Sequence, residues 1–411
     1  MPSKRALIVT VGTGTRPNVY IVRPLVKTIK DSRPDFLVLV VTETSFNYGE
    51  AIVREVGLSK ESHTLVTIKD FDDFQAVFRD INHVFRRLLD LGYAHEEIQI
   101  DFTSGTKAMS SGAVLSAIYN QCQSIKYITG QRKNGVVVDG AEKFLTVNPA
   151  GIFALHDTHL ARELIFRLRF STADEILAEL KVDLLDPDEK SWAKNLRLIA
   201  QAYRAWDIFD HRDALQKIDR VQWTLVDLHP FRPLRAGRML LEGLAGKQKD
   251  RADELLLQDL FNNAVRRGRE GKYDDAVARL YRTTELFAQQ LLMRPPYEIQ
   301  TGNVDLNRVP EAMRSGLEKN RDDRDGRVKI GLKHNYQLLA ELGHPVGRHF
   351  LENDQLRSCL GERNGSILAH GIRPITKRLY NNLRSSVLEL FKMERPDFQQ
   401  QAKEVQFPWL A

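Results

Sequence analysis

Cysteine is almost missing from this sequence, and the two that occur, Cys122 and Cys359, lie far apart in the chain. Two isolated cysteines form neither a disulfide framework nor the paired spacing of a zinc site, so we expect no metal and a reducing cytoplasm. Long hydrophobic runs are lacking too: no stretch approaches the roughly 20 apolar residues that span a bilayer. The first residues have no signal-peptide pattern. We therefore expect no membrane association.

Charge of one sign is not in large excess, because the net charge is only +6 over 411 residues. The excess is unevenly placed: it arises within residues 261–411, whereas positive and negative residues balance over residues 1–260. Basic charge concentrated in one part of a chain favours a polyanionic partner there, such as RNA. A solvated surface with a slight positive excess explains the same distribution equally well.

Two sequence textures divide the chain. Residues 1–150 alternate short apolar runs with helix-length segments, which is typical of a doubly wound, Rossmann-like α/β domain with a parallel sheet. The predicted strands are Ala6–Val11, Phe36–Val41, Leu65–Ile68, Ile98–Phe102, Ile125–Ile128 and Phe144–Val147, and the predicted helices are Val19–Lys30, Phe46–Val56, Phe71–Leu91 and Thr106–Gln121. Residues 151–260 and 261–411 have helical patterns only, which predicts an all-α second half. A tetratricopeptide array is a minor alternative, because the two similar Asp-Ala segments do not fit its period.

Two loops at one predicted edge of the sheet carry groups that bind anions. Gly12-Thr13-Gly14-Thr15-Arg16-Pro17-Asn18 follows the first strand, and Thr103-Ser104-Gly105-Thr106-Lys107 follows the fourth. Backbone N–H groups at glycines, hydroxyls, a lysine and a helix N-terminus all attract phosphate, and ligands of such sheets lie at the carboxyl ends of the strands. The first loop departs from a dinucleotide fingerprint at Pro17, and it is not a Walker A loop.

The two loops together predict a site for a ligand with several phosphates. Its candidate residues are Gly12, Thr13, Gly14, Thr15, Arg16, Asn18, Thr103, Ser104, Gly105, Thr106 and Lys107. A plainer interpretation is that Thr106 only caps the following helix while Lys107 is solvated. Asp101 is expected to be structural and to hold the second loop.

The segments GTGTRPN and DFTSGTKAMSSGA, together with the helical half, resemble the CARF-domain proteins of type III CRISPR systems. The similarity is greatest to ancillary ribonucleases whose CARF domain senses cyclic oligoadenylate and whose HEPN domain cleaves RNA, and it covers residues 1–150 and 260–395. It implies a Rossmann-like CARF domain at 1–150 and a HEPN helical bundle at 261–411, and the helical pattern between them predicts a helical linker domain at 151–260. It also implies cyclic tetra- or hexa-adenylate as an allosteric activator, with no other cofactor.

The same resemblance implies a catalytic motif of Arg, four to six residues, then His, often with Asn after the Arg. Arg363, Asn364 and His370 fit it and lie between two amphipathic helical segments. Spacing alone selects nothing, because Arg204…His211 and Arg327…His334 have the same separation. The first of these has intervening aspartates and the second lacks the Asn, so the motif at Arg363 is favoured. Arg282 and Glu285 either line the same cleft or form a surface pair.

These residues predict a metal-independent endoribonuclease that acts on single-stranded RNA and spares DNA. Histidine transfers protons near neutral pH, arginine grips phosphate, and Asn364 either orients the histidine or contacts RNA. One such couple per chain suits a symmetric homodimer, as the resemblance implies, in type III CRISPR antiviral defence. Two alternatives stay open: a non-catalytic cyclic-nucleotide-sensing regulator with a helical RNA- or protein-binding module, and an enzyme that degrades the bound cyclic oligoadenylate in its CARF domain.

Overall fold

A computed structural model describes residues 4–14, 22–133, 136–224, 231–247 and 252–407. The chain divides into two compact units. The first unit comprises Met1–His156 with Lys181–Asp186, and the second comprises Asp157–Leu180 with Pro187–Ala411. The first unit is α/β and the second is helical, which confirms the predicted fold class. The boundaries of the three-domain division stay a prediction.

A six-stranded sheet forms the centre of the first unit. Its strands are β1 (Ala6–Thr10), β2 (Phe36–Val41), β3 (His63–Thr67), β4 (Ile98–Asp101), β5 (Ser124–Lys133) and β6 (Val136–Val147), in the order β3-β2-β1-β4-β5-β6. Strands β1 to β5 are parallel, and β6 runs antiparallel to β5. The chain adds β2 and β3 on one side of β1, and it then returns and adds β4 on the other side of β1. The switch point is therefore between β1 and β4.

Apolar residues on both faces of the central strands explain why the sheet is covered on both sides. Four helices surround it: α1 (Val22–Ser32), α2 (Phe46–Val56), α3 (Phe74–Asp90) and α4 (Lys107–Tyr119). Because successive strand residues point to opposite faces, Leu7 and Val9 pack in the core that includes α1 and α2. Ala6 and Ile8 pack in the core that includes α3 and α4. This layering is the doubly wound arrangement that the sequence predicts.

The last two strands differ from their predicted form. The sequence marks only Ile125–Ile128 and Phe144–Val147 as strands, but β5 and β6 continue beyond these runs into a long antiparallel hairpin. The added part of β5 has the sequence TGQRK, which lacks apolar alternation. Backbone pairing with β6 holds this segment extended, so its strand character is not visible in hydrophobic periodicity.

Helices form the second unit. They are α5 (Ala150–Phe166, which begins in the first unit), α6 (Phe170–Glu179), α7 (Pro187–Asp207), α8 (His211–Asp219), α9 (Arg232–Glu242), α10 (Ala252–Arg269), α11 (Tyr273–Met293), α12 (Glu311–Glu318), α13 (Leu332–Glu341), α14 (Pro345–Glu352), α15 (Asp354–Glu362), α16 (Lys377–Lys392) and α17 (Phe398–Glu404). The apolar stripes predicted on α11 and α16, for example Leu280, Phe287, Leu383 and Val387, are fully buried in one core. Among the helices that the structure describes, none is long and apolar enough to cross a bilayer.

A buried cation joins several of these helices. The side chain of Arg266 on α10 is fully buried, and its Nε donates to Asp207 Oδ1 on α7 at 2.8 Å. Its Nη1 donates to Gln406 Oε1 at 3.1 Å, and its guanidinium lies 3.8 Å from the ring centroid of Phe407. Asp259, also on α10, is a second buried carboxylate 3.7 Å from Arg266 Nη2. A buried charge is stable only when it is paired and hydrogen-bonded, so this cluster fixes α7, α10 and the segment after α17 together.

Candidate functional sites

The two glycine-containing loops lie side by side at the switch point of the sheet. The backbone N–H of Gly12 donates to Ser104 Oγ at 3.0 Å, and the hydroxyl of Thr10 donates to the Ser104 carbonyl. A Cβ atom at position 12 would lie 2.7 Å from Gly105 Cα, which is closer than any side chain tolerates. Glycine at position 12 thus lets the two loops approach each other.

Most hydroxyls of the second loop are used to hold its shape. Thr103 Oγ1 accepts from the Ile128 N–H at 2.9 Å. Thr106 Oγ1 accepts from the Met109 N–H at 3.1 Å, which caps α4, and donates to the Phe71 carbonyl at 2.8 Å. Thr106 therefore caps α4, as the plainer interpretation predicts. The hydroxyls of Thr103 and Thr106 already form hydrogen bonds within the protein.

Other groups at this edge face outward. Thr13, Gly14, Gly105 and Lys107 are exposed, and Gly14 and Gly105 have φ values of 71° and 120°, a backbone conformation that favours glycine. Within the described chain, no carboxylate pairs with Lys107, which begins α4. These exposed groups, with the N-terminus of α4, form a surface suited to an anion. Thr15, Arg16 and Asn18 lie outside the described residues.

Buried groups beneath the loops support them. Asp101 ends β4, is fully buried, and accepts from the Thr103 N–H through Oδ1 at 2.8 Å. Burial raises the pKa of this carboxyl, and the hydrogen bonds to Thr103 lower it only in part. On the β2 side, Ser45 Oγ donates to the Val11 carbonyl at 2.7 Å. The sequence indicated the structural role of Asp101 but gave no signal for Ser45, because an isolated serine after a strand is common.

Arg363 and His370 belong to one compact loop of the second unit. Arg363 begins a 3₁₀ turn directly after α15, and the His370 N–H donates to the Asn364 carbonyl at 3.2 Å. The Gly371 N–H donates to the Ser366 carbonyl at 3.1 Å. These bonds fold the chain back on itself, so that the backbone of His370 lies beside that of Asn364. The structure therefore brings the three predicted catalytic residues into one loop, which we call the Arg–His loop (residues 363–371).

An aromatic ring holds the arginine of this loop. The guanidinium carbon of Arg363 lies 4.6 Å from the ring centroid of Tyr281 on α11, a typical cation–π distance. Arg363 Nε is buried and has no hydrogen-bond partner among the described residues. Burial raises the pKa of Tyr281, Glu285 raises it further, and Arg363 opposes the shift. In the sequence Tyr281 is only one residue of the amphipathic segment that forms α11, and its spacing gives no signal for this contact.

The other two groups of the Arg–His loop are open to solvent. His370 and Asn364 are exposed, and no described residue forms a hydrogen bond with the imidazole of His370. An ion pair between Arg363 and Glu362 is not present in the described chain. Both functional groups of the predicted couple are thus available to bind a phosphate and to exchange a proton.

Three of the four side chains in the other two Arg…His matches are engaged elsewhere. Arg204 pairs with Asp174 at 3.1 Å, and His211 Nε2 lies 2.8 Å from buried Asp259 Oδ2. His334 Nδ1 lies 3.5 Å from the side-chain nitrogen of Asn320. Arg282 and Glu285 form an ion pair at 2.9 Å on the surface of α11, which agrees with the simpler of their two interpretations.

Large apolar side chains of the Arg–His loop, and of the residue that follows it, are exposed. Ile367 is 71%, Leu368 47% and Ile372 89% exposed. Large hydrophobic side chains that are exposed this close together in the sequence favour a surface that a partner covers. We call Ile367, Leu368 and Ile372 the apolar patch. Across the residues that the structure describes, no group of three or more His, Cys, Asp or Glu side chains is arranged to hold a metal ion.

Comparisons with known proteins identify both halves of the chain. A family model described as the Card1 CARF domain matches residues 6–149, and a model described as the Csm6 HEPN domain matches residues 246–394. No curated protein sequence matches the chain.

A solved structure shares the fold. Enterococcus italicus Csm6 bound to cyclic hexa-2'-fluoro-hexa-dAMP is similar over 98% of this chain and 99% of its own, with 14% sequence identity and a TM-score of 0.57. Can2 from Sulfobacillus thermosulfidooxidans, in complex with cyclic tetra-adenylate, matches 51% of this chain and 68% of its own, with 10% identity and a TM-score of 0.26, too low to support an argument. The chain therefore has a CARF domain followed by a HEPN domain of the Csm6 kind.

Proposed function

We propose that this protein is an endoribonuclease of type III CRISPR antiviral defence that cyclic oligoadenylate activates and that cleaves single-stranded RNA without a metal ion. The observation that carries the proposal is the Arg–His loop, in which a guanidinium positioned by an aromatic ring and an exposed imidazole lie on the same short segment. The HEPN match over residues 246–394 includes this loop.

The residues of the loop have the chemistry that RNA cleavage needs. The 2′-oxygen of the ribose attacks the neighbouring phosphorus, its proton passes to a base, and the bond from phosphorus to the 5′-oxygen breaks as that oxygen receives a proton. His370 transfers a proton in this exchange. Arg363 stabilises the charge that develops on the phosphate oxygens. DNA lacks the attacking hydroxyl and is spared.

A second copy of the chain completes the site in this proposal. The attacking and leaving oxygens lie in line on opposite sides of the phosphorus, so one imidazole reaches only one of them, and two Arg–His loops across a two-fold axis supply both proton transfers. The apolar patch supports this arrangement, because burial of Ile367 and Ile372 against the partner removes their large exposed surfaces from water. The shared surface and the active site are then the same part of the molecule.

The proposed activator site is the loop surface at the β1–β4 switch point. A cyclic oligoadenylate presents several phosphates, which suit the exposed N–H groups, Lys107 and the N-terminus of α4. For this ligand to activate, it must bind one arrangement of the protein more tightly than another. We propose cyclic tetra- or hexa-adenylate as the activator, and the experiment below distinguishes the two ring sizes.

A cleavage assay tests the proposal. Purified protein is incubated with a fluorescent single-stranded RNA, with each cyclic oligoadenylate in turn and with a chelator present. We expect ligand-dependent cleavage of the RNA, no cleavage of the matching DNA, and loss of activity in His370→Ala. His334→Ala is the matched control, because it removes the histidine of another Arg…His pair with the same spacing.

The outcomes separate the competing functions. A non-catalytic regulator binds the activator but cleaves no RNA, with or without His370. An enzyme acting in the CARF domain consumes the cyclic oligoadenylate, and Lys107→Ala slows that reaction while His370→Ala leaves it intact. Cleavage that needs a divalent ion would disprove the metal-independent mechanism.

A further inference from the structure

Three cations follow the Arg–His loop and have no anionic partners. Arg373, Lys377 and Arg378 are exposed, and within the described chain none forms an ion pair. No Asp or Glu occurs in the sequence between Glu362 and Glu389. Several other arginines of the same unit form ion pairs, as Arg282 does with Glu285. We call Arg373, Lys377 and Arg378 the basic strip.

The basic strip begins in contact with the Arg–His loop. The Arg373 N–H donates to the Gly365 carbonyl at 2.9 Å, and a Cβ atom at Gly365 would lie 3.8 Å from Arg373 Cδ. The stem of Arg373 therefore runs along the loop. Lys377 and Arg378 are the first two residues of α16, and side chains in a helix tilt toward its N-terminus, which here is the end nearer the loop.

This placement of cations is unfavourable for the helix itself. The N-terminus of a helix carries a partial positive charge, so cations in the first turn lower its stability. The first turn of α16 contains no acidic residue, whereas that of α11 contains Asp274 and Asp275. Asp274 is the carboxylate that contacts this segment, and its Oδ2 accepts from the Ile375 N–H at 3.4 Å. Asp274 thus accepts a hydrogen bond from the backbone, and it forms no ion pair with a residue of the basic strip.

We propose that the basic strip binds the backbone phosphates of the RNA next to the scissile one and so positions the strand against Arg363 and His370. This inference rests on the proposed function and names residues that bind substrate without taking part in the chemistry. Lysine and arginine along a groove bind single-stranded nucleic acid through its phosphates. Such contacts fix register and orientation but do not read sequence.

The test compares two double variants with the same loss of charge. Lys377→Gln/Arg378→Gln removes two cations of the basic strip, and Lys392→Gln/Lys403→Gln removes two exposed cations from the last turns of α16 and α17. Cleavage of a long RNA and of a dinucleotide is measured over a range of salt concentrations, with the activator present.

We expect the strip variant to raise KM for the long RNA on the order of tenfold at moderate salt, with kcat nearly unchanged. Its salt dependence becomes shallower, by about 0.7 in the log–log slope for each phosphate that the variant no longer neutralises. The dinucleotide, which has no neighbouring phosphate, is cleaved as by wild type. Equal KM values and slopes for the strip and control variants on the long RNA overturn the proposal.

A binding measurement separates this proposal from the proposed function. In a His370→Ala background, fluorescence anisotropy reports the affinity for the same long RNA without cleavage. If wild type cleaves no RNA, the proposed function is wrong. The affinity for the long RNA still tests the basic strip. Weaker binding by the strip variant than by the control supports the strip as an RNA-binding site, and equal binding by both variants contradicts it.

Discussion

A single aromatic contact restricts the position of the Arg363 guanidinium. Its guanidinium lies over the Tyr281 ring rather than against a carboxylate, so its charge stays available while its position is restricted. Sequence spacing selected Arg363…His370 only with the help of a family resemblance, because three Arg…His pairs have the same separation. The geometry that distinguishes them, an aromatic ring from a distant helix and free imidazole and guanidinium groups, arises from tertiary packing and leaves no local pattern.

Replacing Tyr281 tests this contact. A cation–π pair contributes about 0.5–2 kcal/mol, so we expect Tyr281→Leu to lower kcat by about two- to thirtyfold. Tyr281→Phe keeps the aromatic face and should retain most of the activity. Single-turnover rates with saturating RNA and activator give the comparison. Equal rates for the two variants would show that the ring does not position Arg363.

Asp101 gives a prediction about pH. Burial raises the pKa of this carboxyl in the folded state, so the folded protein holds the proton more tightly than the unfolded chain. The resulting stabilisation is fully present below the unfolded pKa of about 3.9 and is lost as pH rises through the higher folded value. Asp101→Asn does not titrate and still has an oxygen that accepts from the Thr103 N–H.

We therefore expect the stability of wild type to fall relative to that of Asp101→Asn as pH rises from about 4 toward neutrality. The free energy of unfolding from urea titrations at several pH values measures this difference. Asp72→Asn, at an exposed aspartate of the same unit, is the control and should run parallel to wild type. A constant difference between wild type and Asp101→Asn across this range would contradict the expectation.

At the scale of elements, the sequence predicted most of the α/β unit. Central strands such as Phe36–Val41 are continuous apolar runs, and α2 has the predicted bounds Phe46–Val56. The extended β5–β6 hairpin was missed, because the added part of β5 is polar and becomes extended through pairing, although β6 begins with three β-branched valines. The Arg–His loop was expected between helices, but its fold-back through the Asn364 carbonyl depends on backbone hydrogen bonds that composition does not encode.

Gly371 makes that fold-back possible and provides a test at this scale. A Cβ atom at position 371 would lie 2.2 Å from the Gly365 carbonyl oxygen, so Gly371→Ala forces the two ends of the Arg–His loop apart. A misplacement of about 1 Å costs on the order of a hundredfold in rate, and we expect a loss of that size in RNA cleavage. Circular dichroism should show unchanged helix content, since the loop lies outside the core.

Gly361→Ala is the matched control for this variant. Gly361 lies in α15, two residues before Arg363, and no atom lies within 4 Å of a Cβ placed there. Alanine is the better helix former by about 0.5–1 kcal/mol, so this variant should be active and slightly more stable in thermal unfolding. A Gly371→Ala enzyme as active as Gly361→Ala would show that the tight turn is not needed.

At the scale of the whole molecule, self-association follows from the apolar patch. We expect the protein to be a dimer by sedimentation, and Ile367→Asp/Ile372→Asp to be a folded monomer without RNA cleavage. Two carboxylates in a closed apolar interface lose their hydration without gaining partners, which explains the expected dissociation. Ile208→Asp is the control, because Ile208 is similarly exposed at 72% but lies outside the patch. A monomeric wild-type protein that cleaves RNA would contradict this prediction.

The buried Arg266 cluster has a consequence for any motion in the helical unit. Separating α7 from α10 would take Asp207 away from the fully buried Arg266 guanidinium, and breaking a buried ion pair costs about 3–5 kcal/mol. Rearrangements that keep the pair intact avoid this penalty. We therefore expect α7 and α10 to move together, so that a displacement of one helix carries the other with it.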